Sequence, residues 1–146
     1  MVLVGWTKSE FQATAKVKQF VDTLLNSFAP LRAIVNNEIT PAELRKESML
    51  GYGTTLRVLA GVYHELKRAD EGQEPFSEAE VREVFKALEP KLREIPVADD
   101  NEFWMPTGAF LVGANAPQST QGALRSLTDH LVEWARKERK KLRAPK

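Results

Sequence analysis

The chemistry this chain could perform rests on few residues. Gly108 and Gly113 bracket the run GAFLVGAN with the glycine spacing of a phosphate-binding loop. Such a loop needs Lys and then Ser or Thr after its second glycine, to reach phosphates and a magnesium ion. Here those positions are Ala114 and Asn115, which leaves a turn-rich loop. His64 and His130 are the only histidines, and neither has a second His or a Cys at ligand spacing. Both read as surface or core-edge side chains, and no metal site is expected. Asp99, Asp100 and Glu102 gather before Phe103-Trp104. Grouped carboxylates suit acid–base or metal work, but three acids in a loop more often make a solvated turn. No serine lies in a G-x-S-x-G setting, and the absence of cysteine removes thiol catalysis and disulfides. No catalytic residue and no cofactor are expected.

Charge gives the strongest signal. The net charge is +1, yet residues 136–146 hold seven basic residues and one acid, a net +6. The rest of the chain carries 14 basic residues against 19 acidic ones, a net −5. Arg136, Lys137, Arg139, Lys140, Lys141 and Arg143 are the candidate nucleic-acid contacts. The competing reading is a solvated helix terminus, where cations suit the negative end of the helix dipole. No Asn, Gln or aromatic residue interrupts this run, so contact would be with phosphates and not with bases.

Helices must position these groups. The chain is 42% hydrophobic and 28% charged, which excludes wholesale disorder. Its apolar runs are far shorter than the roughly 20 residues of a membrane span. The opening residues lack the basic region of a signal peptide. A cytoplasmic location is expected. Thr7 and Glu10 form a capping box ahead of Ala13, Val17, Phe20, Val21, Leu24 and Phe28, which predicts a helix over about 8–28 ended by Pro30. A short helical turn follows at 31–35, before Asn36-Asn37. Thr40, Pro41 and Glu43 open a second long helix, whose apolar phase holds from Leu44 to Leu66 across Gly51, Gly53 and Gly61. That unbroken phase predicts one continuous helix over 41–69. Ser77 and Glu80 open a third helix with a core face of Val81, Val84, Phe85, Leu88 and Leu92, and Pro90 should bend or shorten its last turn. Residues 96–119 are Pro- and Gly-punctuated, with a short strand expected at 109–112, paired with 2–4. Phe103, Trp104, Phe110 and Leu111 should pack on the core. Ser119 or Thr120 caps a last helix lined by Leu124, Leu127, Leu131, Trp134 and Ala135. No internal repeat is present. The expected fold is one all-α domain over 1–146: a bundle of at least four helices, an irregular loop before the last one, and a basic extension at 136–146.

The stretch ITPAELRKESMLGYGTTLRVLAGVYHEL resembles the C-terminal half of the DGQHR-domain family, which includes the DNA sulfur-modification regulator. Members carry a helix with an E-L-R step followed by spaced glycine and leucine. The later run FWMPTGAFLVGANAPQSTQGALRSLTDHLVEWA is similar in layout to the region that follows that helix. The resemblance covers about residues 6–136 and rests on patterned helices, not on catalytic motifs. The Asp-Gly-Gln-His-Arg motif that names the family is absent, and Glu71-Gly72-Gln73 is not a version of it. The resemblance implies a helical half associated with DNA modification and its control, with no active site in this piece. The expected function is a non-catalytic regulatory module whose partner is double-stranded DNA. The alternative is an interaction or oligomerisation domain whose partner is a protein or a second copy. No membrane partner is expected.

Overall fold

The computed structural model describes residues 8–69 and 72–143, with side chains from residue 15 onward. The domain is all-α. Among the described residues it comprises α1 (Lys8–Ser27), α2 (Ala29–Val35), α3 (Pro41–Arg45), α4 (Gly53–Lys67), α5 (Glu78–Leu92) and α6 (Gln121–Arg143), with 3-10 turns at Met49–Gly51 and Met105–Thr107. No helix among the described residues is long and apolar enough to cross a membrane.

Local chemistry sets the helix ends. The Thr40 hydroxyl accepts the Glu43 N–H at 3.1 Å, and the Glu43 carboxylate accepts the Thr40 N–H at 3.2 Å. Ser77 and Glu80 form the same reciprocal pair at the start of α5, both at 3.1 Å. The Thr120 hydroxyl accepts the Ala123 N–H at the start of α6. The Thr7 cap lies outside the described residues. Pro30 does not merely end α1; it sits in the first turn of α2, where its fixed φ suits a helix start. Asn37 stops α2 at φ +60°, a left-handed conformation that Asn tolerates.

The expected continuous helix over 41–69 is corrected. α3 ends at Arg45, a turn leads into Met49–Gly51, and Tyr52 is extended at φ −110° and ψ 133° before α4 begins. Gly51 explains the break. A Cβ there would lie 2.7 Å from the Arg45 backbone nitrogen, so only glycine lets the chain fold back against the end of α3. The Arg45 Nε then donates to the Gly51 carbonyl at 3.0 Å. The break drives both Met49 and Leu50 into the core, which is why the apolar phase looks unbroken. Gly61 has a different role. It lies within α4 where α4 meets α6, and a Cβ there would touch Thr128 Cγ2 at 3.4 Å.

α4 packs on α6, α1 packs on α5, and α5 touches α6; α1 and α4 are not a close-packed pair. Phe28 and Phe85 stack between α1 and α5, with ring centroids 5.6 Å apart. α5 runs through Pro90 to Leu92 and buries all five residues of its expected face. The 93–120 connection is pinned as a loop. Val97 donates to the Ala114 carbonyl, Gly113 donates to the Val97 carbonyl, and residues 109–112 form no strand. Val2 to Val4, its expected partner, lie outside the described residues. Trp104 is buried under this loop, where its indole N–H donates to the Lys91 carbonyl at 2.8 Å. Phe110 is buried and Phe103 half-buried, but Leu111 is 65% exposed at the loop tip, against expectation.

Candidate functional site

The basic run does not form a separate extension. α6 continues through Arg143, and Arg139 is only 7% exposed. Its guanidinium carbon lies 3.9 Å from the centroid of the Phe76 ring, and Nη1 donates to the Glu74 carbonyl at 2.8 Å. Arg143 reaches the same connection. It donates to the Glu80 carboxylate at 2.8 Å and to the Glu74 carboxylate at 2.9 Å. Hydrogen bonding to Arg143 holds the Glu74 carboxyl below its ordinary range. Partial burial pushes Glu80 up, but the Ser77 amide and Arg143 outweigh it and hold that carboxyl down too. Two of the six candidate cations are thus committed inside the chain. Of the others, Lys137 pairs with Glu133 at 3.5 Å and Lys141 with Glu138 at 3.1 Å, both on the surface. Lys140 is exposed, and Arg136 is half-buried beside a shallow cleft lined by Glu65, Asp129 and Glu133.

The other sequence candidates stay apart. Asp99, Asp100 and Glu102 are exposed, and none lines the clefts described below. In the glycine loop Gly108 donates to the Met105 carbonyl, Gly113 to Val97 and Ala114 to Leu111, and Ala109 donates to the Thr107 hydroxyl, so these amides close the loop on itself. His130 is half-buried, edge-on to Phe103 at 4.9 Å, and burial holds its pKa down. His64 is exposed on α4. Among the described residues no group of three His, Asp or Glu side chains could hold a metal ion.

The principal concavity was not singled out from sequence. It is a cleft of about 420 Å³ between α1 and α4, the two helices that leave a gap between them. Val17 and Phe20 contribute from α1, and Ala60 and Tyr63 from α4. Lys16, His64, Lys67 and Arg68 add positive or titratable groups, and no acid among the described residues lines it. A second cleft of about 260 Å³ follows along α1 at Val21, Leu24 and Leu25; Leu56 is its one α4 residue, and Ile34 and Val35 of α2 and the Leu50–Gly51 turn close its other side. The two clefts share no lining residue but succeed one another along α1, and together they are the trough. Val17 is 61% exposed, Val21 43% and Val35 63%, so three aliphatic side chains border it in contact with water. Val17 and Val21 had been assigned to the core face of the first helix. Among the described residues the core takes Leu24 and Phe28 fully from that face and Phe20 in part, where Phe20 meets Tyr63 of α4.

One carboxylate fixes the trough's width. Glu78, at the start of α5, accepts the Thr23 hydroxyl from α1 at 2.6 Å and the Tyr63 hydroxyl from α4 at 2.6 Å. The Lys67 ammonium completes the set at 2.8 Å. Partial burial opposes ionisation of Glu78, but hydrogen bonds from Lys67, Thr23 and Tyr63 prevail and hold its pKa at about 2. Burial, and then the bond to that carboxylate, push the Tyr63 phenol up to about 12. Phe20 lies against Tyr63 with ring centroids 5.3 Å apart, so the apolar floor rests directly on this polar anchor.

No family model, no curated protein and no solved structure matches the chain. The likeness to the DGQHR-domain family therefore rests on the quoted helical pattern alone.

Proposed function

We propose that this chain is a non-catalytic helical binding module that docks a protein partner in the trough between α1 and α4. The observation that carries this reading is the pair of exposed valines on α1, Val17 and Val21, each bordering one of two successive, mainly apolar clefts. Scattered apolar surface is ordinary; a contiguous apolar groove between two helices is a feature of binding sites. The Glu78 anchor supports it further, because it holds the walls in place without a ligand. Anilinonaphthalene sulfonate, an apolar dye with one negative charge, tests the site. One saturable site per folded chain is expected, lost in the double variant V17D/V21D. A native chain that binds no dye, or a double variant that binds it unchanged, rules the trough out as a docking site.

A second reading keeps an association with DNA in the cytoplasm, in line with the DGQHR-like pattern. It is favoured by Arg136, Lys137, Lys140 and Lys141, which recur at helical spacing on α6 outside the contacts of Arg139 and Arg143. If these four cations each neutralise a phosphate, log affinity for a duplex should fall with log salt at a slope of about −3.6. Anisotropy titrations of a short labelled duplex at several salt concentrations decide it. Absence of binding at low salt removes this reading and leaves the first untouched.

A further inference from the structure

We infer that the occupant of the trough is an amphipathic helix of a partner protein, with acidic residues at the end that lies over Lys16 and Lys67. This inference rests on the trough being a docking site and adds the class of partner.

Three observations select a helix. Along α4 the two clefts run from Leu56 to Lys67, about 16 Å at 1.5 Å per residue. Three turns of a partner helix fill that length, and the side chains at i, i+4, i+7 and i+11 would face the floor. The walls are themselves helices, so a third helix can pack against both as in an ordinary bundle. An extended peptide gains little here. Strand addition needs a free sheet edge, and the walls are α-helices whose backbone groups are bonded within each helix.

Charge selects the partner's sequence and its direction. The Leu56 end of the trough is apolar, lined by Val21, Leu25, Ile34 and Val35. The opposite end carries Lys16, His64 and Lys67, with no acid among the described residues of its lining. Lys67 bonds to Glu78, yet its side chain remains 31% exposed. A lysine has three donors, so Lys67 can hold Glu78 and still meet a second carboxylate. Lys16 stands exposed at the α1 edge of the same end. A second copy is a poor occupant by the same argument. The open face of α1 carries Lys16 and Lys18 against Asp22 beside its valines, a net positive charge, and the exposed end of α6 is basic as well. Either would set cations against cations.

The test uses the full chain and three labelled synthetic helices of about 14 residues, sharing leucines at the four facing positions. One carries glutamates at one end, one carries lysines there, and one carries glutamines. The acidic peptide should bind about tenfold more tightly than the basic one, a gap that narrows as salt screens the exposed charges. V17D/V21D should abolish binding of all three, and K16E should reverse or level their ranking. Equal binding of the three peptides that V17D/V21D still abolishes overturns the acidic assignment and leaves the trough as a docking site. Binding of none, or binding indifferent to V17D/V21D, overturns both. Self-association that V17D/V21D abolishes identifies a second copy as the occupant and overturns the hetero-partner assignment.

Discussion

The end of α6 and the trough between α1 and α4 are built from the same materials and finished differently. Each sets cations beside apolar surface. At the end of α6 the chain closes the arrangement itself. Phe76 takes the face of Arg139, the Glu74 carbonyl takes its N–H, and Glu74 and Glu80 share Arg143. In the trough the aliphatic side chains of Val17 and Val21 remain 61% and 43% exposed, and Lys16 has no acid beside it among the described residues of the lining. A basic run is thus not automatically a site, nor is an apolar helix face automatically core. What separates the two is whether another element of the same chain arrives with the complementary group.

The comparison can be broken first at its closed end. Phe76 is 3% exposed and belongs to the main core cluster as well as to the Arg139 stack. Phe76→Ala should destabilise by about 3–5 kcal/mol, the usual range for removing a buried phenyl ring. Arg139→Ala leaves the Phe76 ring in place but removes the stacked cation and the charged hydrogen bond to Glu74, with an expected loss of about 1.5–3 kcal/mol. Chemical denaturation of each variant at neutral pH measures both. Removing residues 136–146 takes away one large apolar side chain, Leu142, and by composition alone would spare the fold. With Arg139 docked, that truncation should cost at least as much as Arg139→Ala. A truncated chain as stable as the intact one would show that the contact contributes nothing in solution.

The anchor that holds the trough open should titrate. Glu78 is held at about 2 in the folded chain, well below an ordinary glutamate, so its contribution is complete above about pH 4.5 and is lost as pH falls towards 2. Tyr63 is shifted the other way, to about 12 from 10. Its contribution is complete below pH 10 and is lost as pH rises through 12, because the folded state favours the neutral phenol. Glu78→Gln should flatten the acid limb of a stability-against-pH curve between pH 4.5 and 2, by an amount reduced through solvent screening of this partly exposed carboxylate. Unchanged acid limbs in wild type and variant would mean that Glu78 is not anchoring the walls.

Much of this was legible from residue pattern. The capping boxes at Thr40 and Ser77 form as written, the core face of α5 is the expected one, and Trp104 is buried under its loop. The misses share a cause. Apolar periodicity reports which face of a helix is apolar, not which face another element reaches. Val17 and Val21 fit the pattern of α1 as well as Leu24 does, but they stay 61% and 43% exposed, and no helix among the described residues covers them. At Gly51 the phase survived because a 3-10 turn and one extended residue return the chain to register, and the decisive term was the approach of Arg45, a contact between residues six apart. The pairing of Arg139 with residue 74 spans 65 positions and leaves no trace in local spacing. The trough itself required knowing that α1 and α4 stand apart, which is a property of the assembled bundle.

The smallest expected effect is the most discriminating. Val17 and Val21 lie on the same helix as Leu24, one turn apart, and all three belong to its apolar face. Leu24 is 7% exposed, and Leu24→Ala should cost about 2–5 kcal/mol through lost burial and the cavity left behind. At Val17 and Val21 an aspartate can stay in water, because both positions are open in the folded chain. V17D/V21D should therefore change stability by no more than about 1 kcal/mol, the sum of two ordinary surface substitutions with a small helix-propensity cost. The sign carries information as well. If the valines are as exposed folded as unfolded, replacing them removes little burial. The acids at 17 and 21 gain weak attraction from Lys16 and Lys18 but repel each other one turn apart and adjoin Asp22, so the net charge effect is a small loss. A loss approaching that of Leu24→Ala would mean that the face is covered in the folded chain, making it core and closing the trough to any partner. A silent double variant that has also lost dye and peptide binding separates recognition from folding on a single helix. The boundary between the two roles then falls between Val21 and Leu24.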